Sequence, residues 1–261
     1  MNILAIDTST WALAVAVSQG GRLAGEINSY LAKNHAARLM PAVHYLLDSL
    51  DLAPSDLDLI AVGSGPGSYT GVRIGVTAAK TIAWALKLPL LGLSSLQAIA
   101  QNKADFAGLI VPLMDARRGQ VYAGLYRGRQ APLWSAESTL ESEKMVKKGW
   151  LAPQSGSWLA APVARDRIQP LEELLQEVED RLEGDAALFV GPGLAIHGQK
   201  IKETLGERAI LAEPEACSIT GRALADLAWQ YRDQRTEKIH TFVPRYLQLA
   251  EAEKKWMERQ G

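Results

Sequence analysis

A glycine-rich turn in the first third of the chain constrains the fold more than any other feature of the sequence. It runs from Gly63 to Arg73, between the apolar run 59–62 and a segment whose apolar residues recur at helical spacing as far as Pro89. This pattern predicts a buried strand, a tight turn and a helix, which is typical of an α/β fold. Glycines permit unusual backbone angles and helix N-termini attract anions, so the turn is also a candidate phosphate site.

Two common phosphate-binding motifs do not match this turn. In a P-loop, Lys and then Ser or Thr follow the last glycine, whereas Ser68 and Tyr69 follow Gly67 here. The dinucleotide fingerprint needs two residues between its second and third glycines and an acid after the next strand. Only Pro66 separates Gly65 from Gly67, and the run 90–93 carries no carboxylate. The turn alone therefore does not identify a nucleotide-binding enzyme.

Composition narrows the class of protein. The 261 residues are enough for two lobes, and 28 Lys and Arg against 29 Asp and Glu leave a net charge of −1. The chain thus lacks the basic excess of a stand-alone nucleic-acid binder. The single cysteine, Cys217, excludes an internal disulfide and a clustered-thiolate zinc site, and we expect a buried, structural thiol. Neither a signal peptide nor an apolar run of membrane-spanning length is present, which predicts a soluble, cytoplasmic protein.

Hydrophobic periodicity predicts two series of elements with the same plan. The first series contains strands near 3–6, 13–17, 22–29, 59–62 and 89–93, with helices beginning at His35, after the glycine turn and at Ser94. The second contains a strand at 109–115, its hairpin partner at 120–126, helices at 170–183 and 219–231, and a strand at 187–190 before a second glycine turn. Residues 127–169 are expected to form loops with a short strand or helix, and 251–259 a solvated helix.

Five segments carry a family resemblance. They are 3–9, ending in Asp-Thr-Ser, then 35–41, the Gly63 turn with its Ser-Tyr-Thr-Gly extension, 114–122, and 244–247. With them the chain resembles the bacterial TsaB (YeaZ) family of tRNA threonylcarbamoyladenosine biosynthesis proteins, within the actin, hexokinase and Hsp70 ATPase superfamily. The resemblance is dense in the first half of the chain and sparse in the second.

The resemblance implies a fold and a role. The fold is α/β, with two ribonuclease-H-like, actin-like lobes at 1–105 and 106–247, each a mixed sheet with helices. Late helices are expected to cross between the lobes, and 248–261 would be a charged helical tail. The role is that of a noncatalytic subunit that binds the catalytic TsaD subunit, joined by the ATPase TsaE. The tRNA would be reached indirectly, and the chain would form a homodimer when its partner is absent.

The resemblance also implies a partner surface on the helices that follow the third strand and the glycine turn. The residues expected there are His35, Arg38, Leu39, Gly71, Arg73, Gly75, Ala79 and Ala83. Four residues of this set are small and recur every four positions, namely Gly71, Gly75, Ala79 and Ala83. The backbone of another helix could therefore approach closely along this strip. The alternative is that this strip packs against the chain's own sheet.

A nucleotide or phosphate site would use Asp7, Ser9, Gly65, Gly67, Ser68, Arg117 and Arg118. Asp7 ends the first strand, where superfamily ATPases keep an acid near phosphate-bound metal, but the favoured interpretation is a cap of its own turn, with Asp7 accepting the amide of Ser9 or Thr10. Arg117 and Arg118 stand where active members have a compact acid-glycine-glycine turn, and could contact phosphate or pair with carboxylates. No cofactor is expected in the isolated chain, and ATP or ADP would bind at its junction with TsaD.

Catalysis by this chain alone is not expected. His35 and His44 are nine residues apart, half a turn out of phase on a regular helix, so they cannot share one metal ion. This disfavours a metalloprotease, and no metal site is predicted. A stand-alone ATPase or kinase that uses Asp7 and the glycine turn is the remaining alternative.

Overall fold

The computed structural model describes residues 1–31, 34–130, 158–182 and 184–248. The first half forms one sheet and three helices. The strands are β1 (Asn2–Asp7), β2 (Leu13–Gln19), β3 (Arg22–Ser29), β4 (Leu59–Gly63) and β5 (Leu90–Leu93). The helices are α1 (His35–Ser49), α2 (Tyr69–Leu86) and α3 (Ser95–Gln101).

The second half repeats this plan with different loops. Its strands are β6 (Leu109–Asp115), β7 (Gln120–Gln130), β8 (Trp158–Pro170), β9 (Ala187–Val190) and β10 (Ala209–Leu211). Its helices are α4 (Leu171–Arg181), α5 (Leu194–Leu205) and α6 (Gly221–Tyr231).

The two sheets have the same topology. The first has the order β3-β2-β1-β4-β5 and the second the order β8-β7-β6-β9-β10. In each sheet the first strand pairs antiparallel with the second and parallel with the fourth. The central strands β1 and β6 have continuous apolar runs, 3–6 and 109–114, because both of their faces are covered. The predicted pair of ribonuclease-H-like lobes, each a mixed sheet with helices, is confirmed.

Two helices lie in the core between the lobes. All seven residues of α3 are buried, and the apolar cluster around them includes residues of both sheets. Ser94 caps the first turn of α3, because its hydroxyl accepts a hydrogen bond from the amide of Gln97 at 3.1 Å. Helix α6 follows the second sheet in sequence but packs on the strands β1, β2 and β3 of the first.

The side-chain amides of α3 also pair with the edge strand β8. The Gln101 amide nitrogen donates to the carbonyl of Trp158, and its oxygen accepts from the backbone amide of Ala160. Gln97 donates to the carbonyl of Ala160 at 2.8 Å. The lobes are therefore joined by directional polar contacts as well as by apolar packing.

The hairpin of β6 and β7, the charged helix α4 and the buried thiol of Cys217 are confirmed. The interpretation of 127–169 as mostly loop is wrong where the structure describes it, because β7 reaches Gln130 and β8 is a strand of 13 residues. The helix expected at 251–259 lies outside the described residues. The boundaries at 105 and 247 remain predictions.

None of the helices in the four described ranges is both long and apolar enough to cross a lipid bilayer.

The contact of α6 with β3 contains an acid that titrates unusually. The pKa of Asp226 is raised to about 6, chiefly by burial and to a smaller extent by repulsion from Glu26, against the opposing effect of Arg222. In the unfolded chain the carboxyl would have its ordinary pKa of 3.8. The folded chain therefore holds a proton that the unfolded chain releases, and Asp226 lowers stability as the pH rises through the window between these values.

We expect Asp226→Asn to raise the free energy of unfolding at neutral pH by about 1–3 kcal/mol, because the amide carries no charge to desolvate. The gain should vanish below the unfolded pKa, where the carboxyl is protonated in both states. Urea unfolding at both pH values measures this. Asp233→Asn is the matched control, since the Asp233 side chain is 82% exposed. A variant with no gain at neutral pH would contradict the argument.

Candidate functional site

A cleft of about 970 Å³ lies between the lobes, where the carboxyl ends of β1 and β6 face each other. The β1–β2 turn and the first turn of α2 form one wall, and the turn after β6 forms the other. The C-terminal segment crosses between them. Residues that line the cleft include Ser9, Trp11, His35, Gly67, Ser68, Tyr69, Asp115, Arg117, Arg118, Tyr122, Arg245 and Tyr246.

Asp7 is held away from this cleft. Its side chain is fully buried and it is not among the lining residues. One carboxylate oxygen accepts from the backbone amide of Ser9 at 2.6 Å, and the other accepts from the hydroxyl of Ser95 at 2.7 Å. Burial raises the pKa of Asp7, and these hydrogen bonds oppose that rise. Asp7 therefore caps its own turn and binds the start of α3, and it does not present its carboxylate to a ligand in the cleft.

The glycine turn makes room for the end of β1. A Cβ atom at Gly63 would overlap the Asp7 carboxylate, and one at Gly71 would overlap the carbonyl oxygen of Thr8. The close approach is used for hydrogen bonds. The Thr8 hydroxyl donates to the Gly71 carbonyl at 2.6 Å, and the Ser68 amide donates to the Ser9 carbonyl at 2.7 Å. A helix N-terminal amide that could hold phosphate is thus already bonded within the chain.

The second lobe places different chemistry at the equivalent position. Asp115 ends β6 as Asp7 ends β1, but its partner is His197 on α5, whose Nε2 lies 3.0 Å from the carboxylate. In the turn that follows, Arg117, Arg118 and Gly119 have φ values of 66°, 54° and 73°. Both arginine side chains are exposed at the cleft. Two non-glycine residues in the left-handed region show that this turn is held in a costly conformation by its surroundings.

Sequence reasoning missed the Asp115–His197 pair, because its members are 82 residues apart. The repeat of the topology was the signal that could have found it. The Gly191–Pro192–Gly193 turn corresponds to the first glycine turn, so α5 corresponds to α2 and its first turn must lie beside the end of β6.

The expected phosphate residues are only partly brought together. Ser9, Gly67, Ser68, Arg117 and Arg118 line the cleft. Asp7 does not, and neither does Gly65, which lies beneath the carbonyl of Arg245. Within the described ranges no group of three or more His, Cys, Asp or Glu side chains is placed to hold a metal ion.

The expected partner surface needs a correction. Leu39, Gly71, Gly75, Ala79 and Ala83 are all buried, so the small-residue strip packs against the chain's own sheet. The strip is therefore used for packing inside the chain, which was the alternative to a partner surface. The cause is the close approach of β1 to α2.

The other three residues of that set lie elsewhere. His35 shares a hydrogen bond with the Thr10 carbonyl at 3.0 Å and lines the cleft, while Arg38 is half-buried on α1. Arg73 is exposed, with its guanidinium 4.3 Å from the centre of the Tyr69 ring.

The outward sides of α1 and α2 carry large apolar side chains. Met40 is 47% exposed, Tyr45 is 68% exposed and Trp84 is 63% exposed. Both helices cover the same side of the first sheet and contact each other, so their outward sides face the same way. We call these outward sides, with Met40, Tyr45, Arg73 and Trp84, the α1/α2 face. Exposed apolar side chains of this size on neighbouring helices are typical of a protein-binding surface.

The chain is similar to known proteins in both sequence and fold. A family model described as "TsaD: tRNA N6-adenosine threonylcarbamoyltransferase" matches residues 24–256. The tRNA threonylcarbamoyladenosine biosynthesis protein TsaB of Bacillus subtilis is 41% identical over 260 residues, which is 100% of both chains. The protein of the same name from Escherichia coli is 36% identical over 164 residues, or 61% of this chain and 70% of that one. The structure of YeaZ from Pseudomonas aeruginosa superposes with a TM-score of 0.70 at 27% identity, covering 94% of this chain and 99% of that one.

We expect Gly71→Ala to destabilise the chain by about 1–3 kcal/mol, because the methyl group would displace the β1 end or the helix. The sign of the stability change is informative, because a Gly→Ala substitution inside an exposed helix stabilises the protein by about 1 kcal/mol. Chemical denaturation followed by far-UV circular dichroism measures it. Gly119→Ala is the control, because an added methyl there would meet nothing within 4 Å and only the φ of 73° opposes the change. A stabilised Gly71→Ala variant would show that the close approach is absent in solution.

Proposed function

The chain belongs to the TsaB family of bacterial tRNA threonylcarbamoyladenosine biosynthesis proteins, and on that premise we propose that it is a noncatalytic subunit that binds and organises TsaD. TsaE would join the pair, in the cytoplasm. The product would be threonylcarbamoyladenosine at the adenosine beside the anticodon. The net charge of −1 supports an indirect role toward the tRNA.

The state of the cleft supports a noncatalytic role. An acid that binds a phosphate-bound metal must present free oxygens to the ligand, but both oxygens of Asp7 are bonded inside the protein. Asp115 is engaged by His197, and the following turn is filled by arginine side chains. The ATPase or kinase alternative would need Asp7 to leave a fully buried site and break two hydrogen bonds. A nucleotide, ATP or ADP, is proposed only for the junction with TsaD.

The α1/α2 face is the observation that carries the proposal. Trp and Tyr are enriched among the residues that dominate protein interfaces, and here both are more than half exposed in the isolated chain. The partner surface is therefore moved from the buried strip to these outward residues, with Arg73 at its edge. Because a two-fold pair of chains could cover the same face, the homodimer would compete with TsaD.

Charged substitutions on this face should weaken binding while leaving the fold intact. We expect Tyr45→Glu and Trp84→Glu each to weaken the affinity for purified TsaD by roughly 30-fold or more, since each removes about 2 kcal/mol of apolar contact. Isothermal titration calorimetry measures the affinity. Lys200→Glu, on an exposed position of α5 in the other lobe, is the matched control. Unchanged affinity in both face variants would exclude this surface.

The Ala79→Glu substitution tests which side of α2 is the partner surface, the buried side or the outward side. Because Ala79 is 0% exposed, a carboxylate there should unfold the chain, as judged by circular dichroism. A folded Ala79→Glu variant that has lost TsaD binding would restore the small-residue strip as the interface.

The pathway role is tested in the cell. Deleting the gene, or depleting its product where deletion is lethal, should lower threonylcarbamoyladenosine in bulk tRNA, measured by nucleoside analysis. Expression of the Lys200→Glu variant should restore the nucleoside and Trp84→Glu should not. An unchanged nucleoside level after loss of the protein would overturn the proposed function.

A further inference from the structure

The C-terminal segment Val243–Gln248 crosses the interlobe cleft and bonds to both lobes. Its anchor in the first lobe is the backbone amide of Arg245, which donates to the carbonyl of Ser64 in the glycine turn at 2.7 Å. In the second lobe, the Arg245 guanidinium Nη1 lies 3.2 Å from a carboxylate oxygen of Asp166 on β8. One residue thus connects the two lobes.

Asp166 is a strong anchor because it is buried and several groups share it. Its side chain is 3% exposed. Besides Arg245, it accepts hydrogen bonds from the hydroxyl of Ser94, at 2.6 Å, and from the hydroxyl of Tyr126 on β7. Removing Arg245 would leave a buried carboxylate without its cation, which is more costly than losing an exposed ion pair.

The next residues of the segment continue to alternate between the lobes. The Tyr246 ring lies 5.1 Å from the Tyr69 ring on α2, and its hydroxyl accepts from Arg73 Nε at 3.0 Å. The carboxamide of Gln248 then accepts from the hydroxyl of Tyr122 on β7 at 3.1 Å. Val243, in contrast, is 69% exposed.

The position of these contacts determines what they can restrain. The lobes share an apolar core around α3 and α6, so a change in their relative orientation would pivot there and alter the width of the cleft. The segment spans that width. We propose that Val243–Gln248 is an interlobe strap that holds the cleft at a single width. Opening the cleft would require breaking the Arg245–Asp166 bond or the Tyr246–Tyr69 contact, so the chain presents a rigid body to whatever partner it binds.

The test measures the distance between the lobes in the full chain without a partner. Spin labels are placed through Asp48→Cys on α1 and Lys200→Cys on α5, both exposed, after Cys217→Ala removes the natural thiol. Pulsed electron double resonance then gives the distance distribution. We expect one narrow distribution for this parent and a second, displaced population for the Arg245→Ala/Tyr246→Ala variant.

Val243→Ala is the matched control within the strap and should match the parent. Circular dichroism verifies that each variant is folded. If the double variant unfolds, Arg245→Gln/Asp166→Asn takes its place, since it removes the ion pair between the lobes without leaving a buried charge unpaired and should still broaden the distribution. A folded strap variant with the parent's narrow distribution would overturn the proposal, because the shared core would then be sufficient to fix the lobes.

Discussion

The structure depends on the approach of the β1 end to the first turn of α2. Thr8 and Ser9 hydrogen bond to the backbone of the helix start, at positions where a side chain on Gly71 would not fit. The same stretch turns Asp7 inward to meet the hydroxyl of Ser95 at the start of α3. A single junction therefore positions β1, β4, α2 and α3, and through α3 it positions the second lobe.

This junction explains why one sequence signal was misinterpreted. A strip of small residues on a helix indicates that other atoms come close, but it does not identify which part of which chain they belong to. Here the residue that approaches Gly71 and Gly75 is the chain's own Thr8. Once that side of α2 is occupied, only the opposite side is available to a partner. That side carries Trp84, which in the sequence resembles any other apolar helix residue.

The fold was largely predictable from sequence, and the site only partly. Short apolar runs bounded by turns were sufficient for β1, β4, β6 and β9, because buried parallel strands leave this pattern. The cap by Asp7 is a contact over two residues, and sequence reasoning favoured it. The pairing of Asp115 with His197 and of Arg245 with Asp166 joins residues about 80 positions apart, and local pattern contains no trace of such contacts. Strand β8 was missed because its alternation is weak.

The side chains of α3 have a consequence at the edge of the second sheet. An edge strand offers unpaired amides and carbonyls that invite another chain to add a strand, which leads to uncontrolled association. In β8 the groups of Trp158 and Ala160 are bonded by Gln97 and Gln101, so two glutamines take the place of a neighbouring strand. The residues that join the lobes therefore also block the addition of a strand at the start of β8.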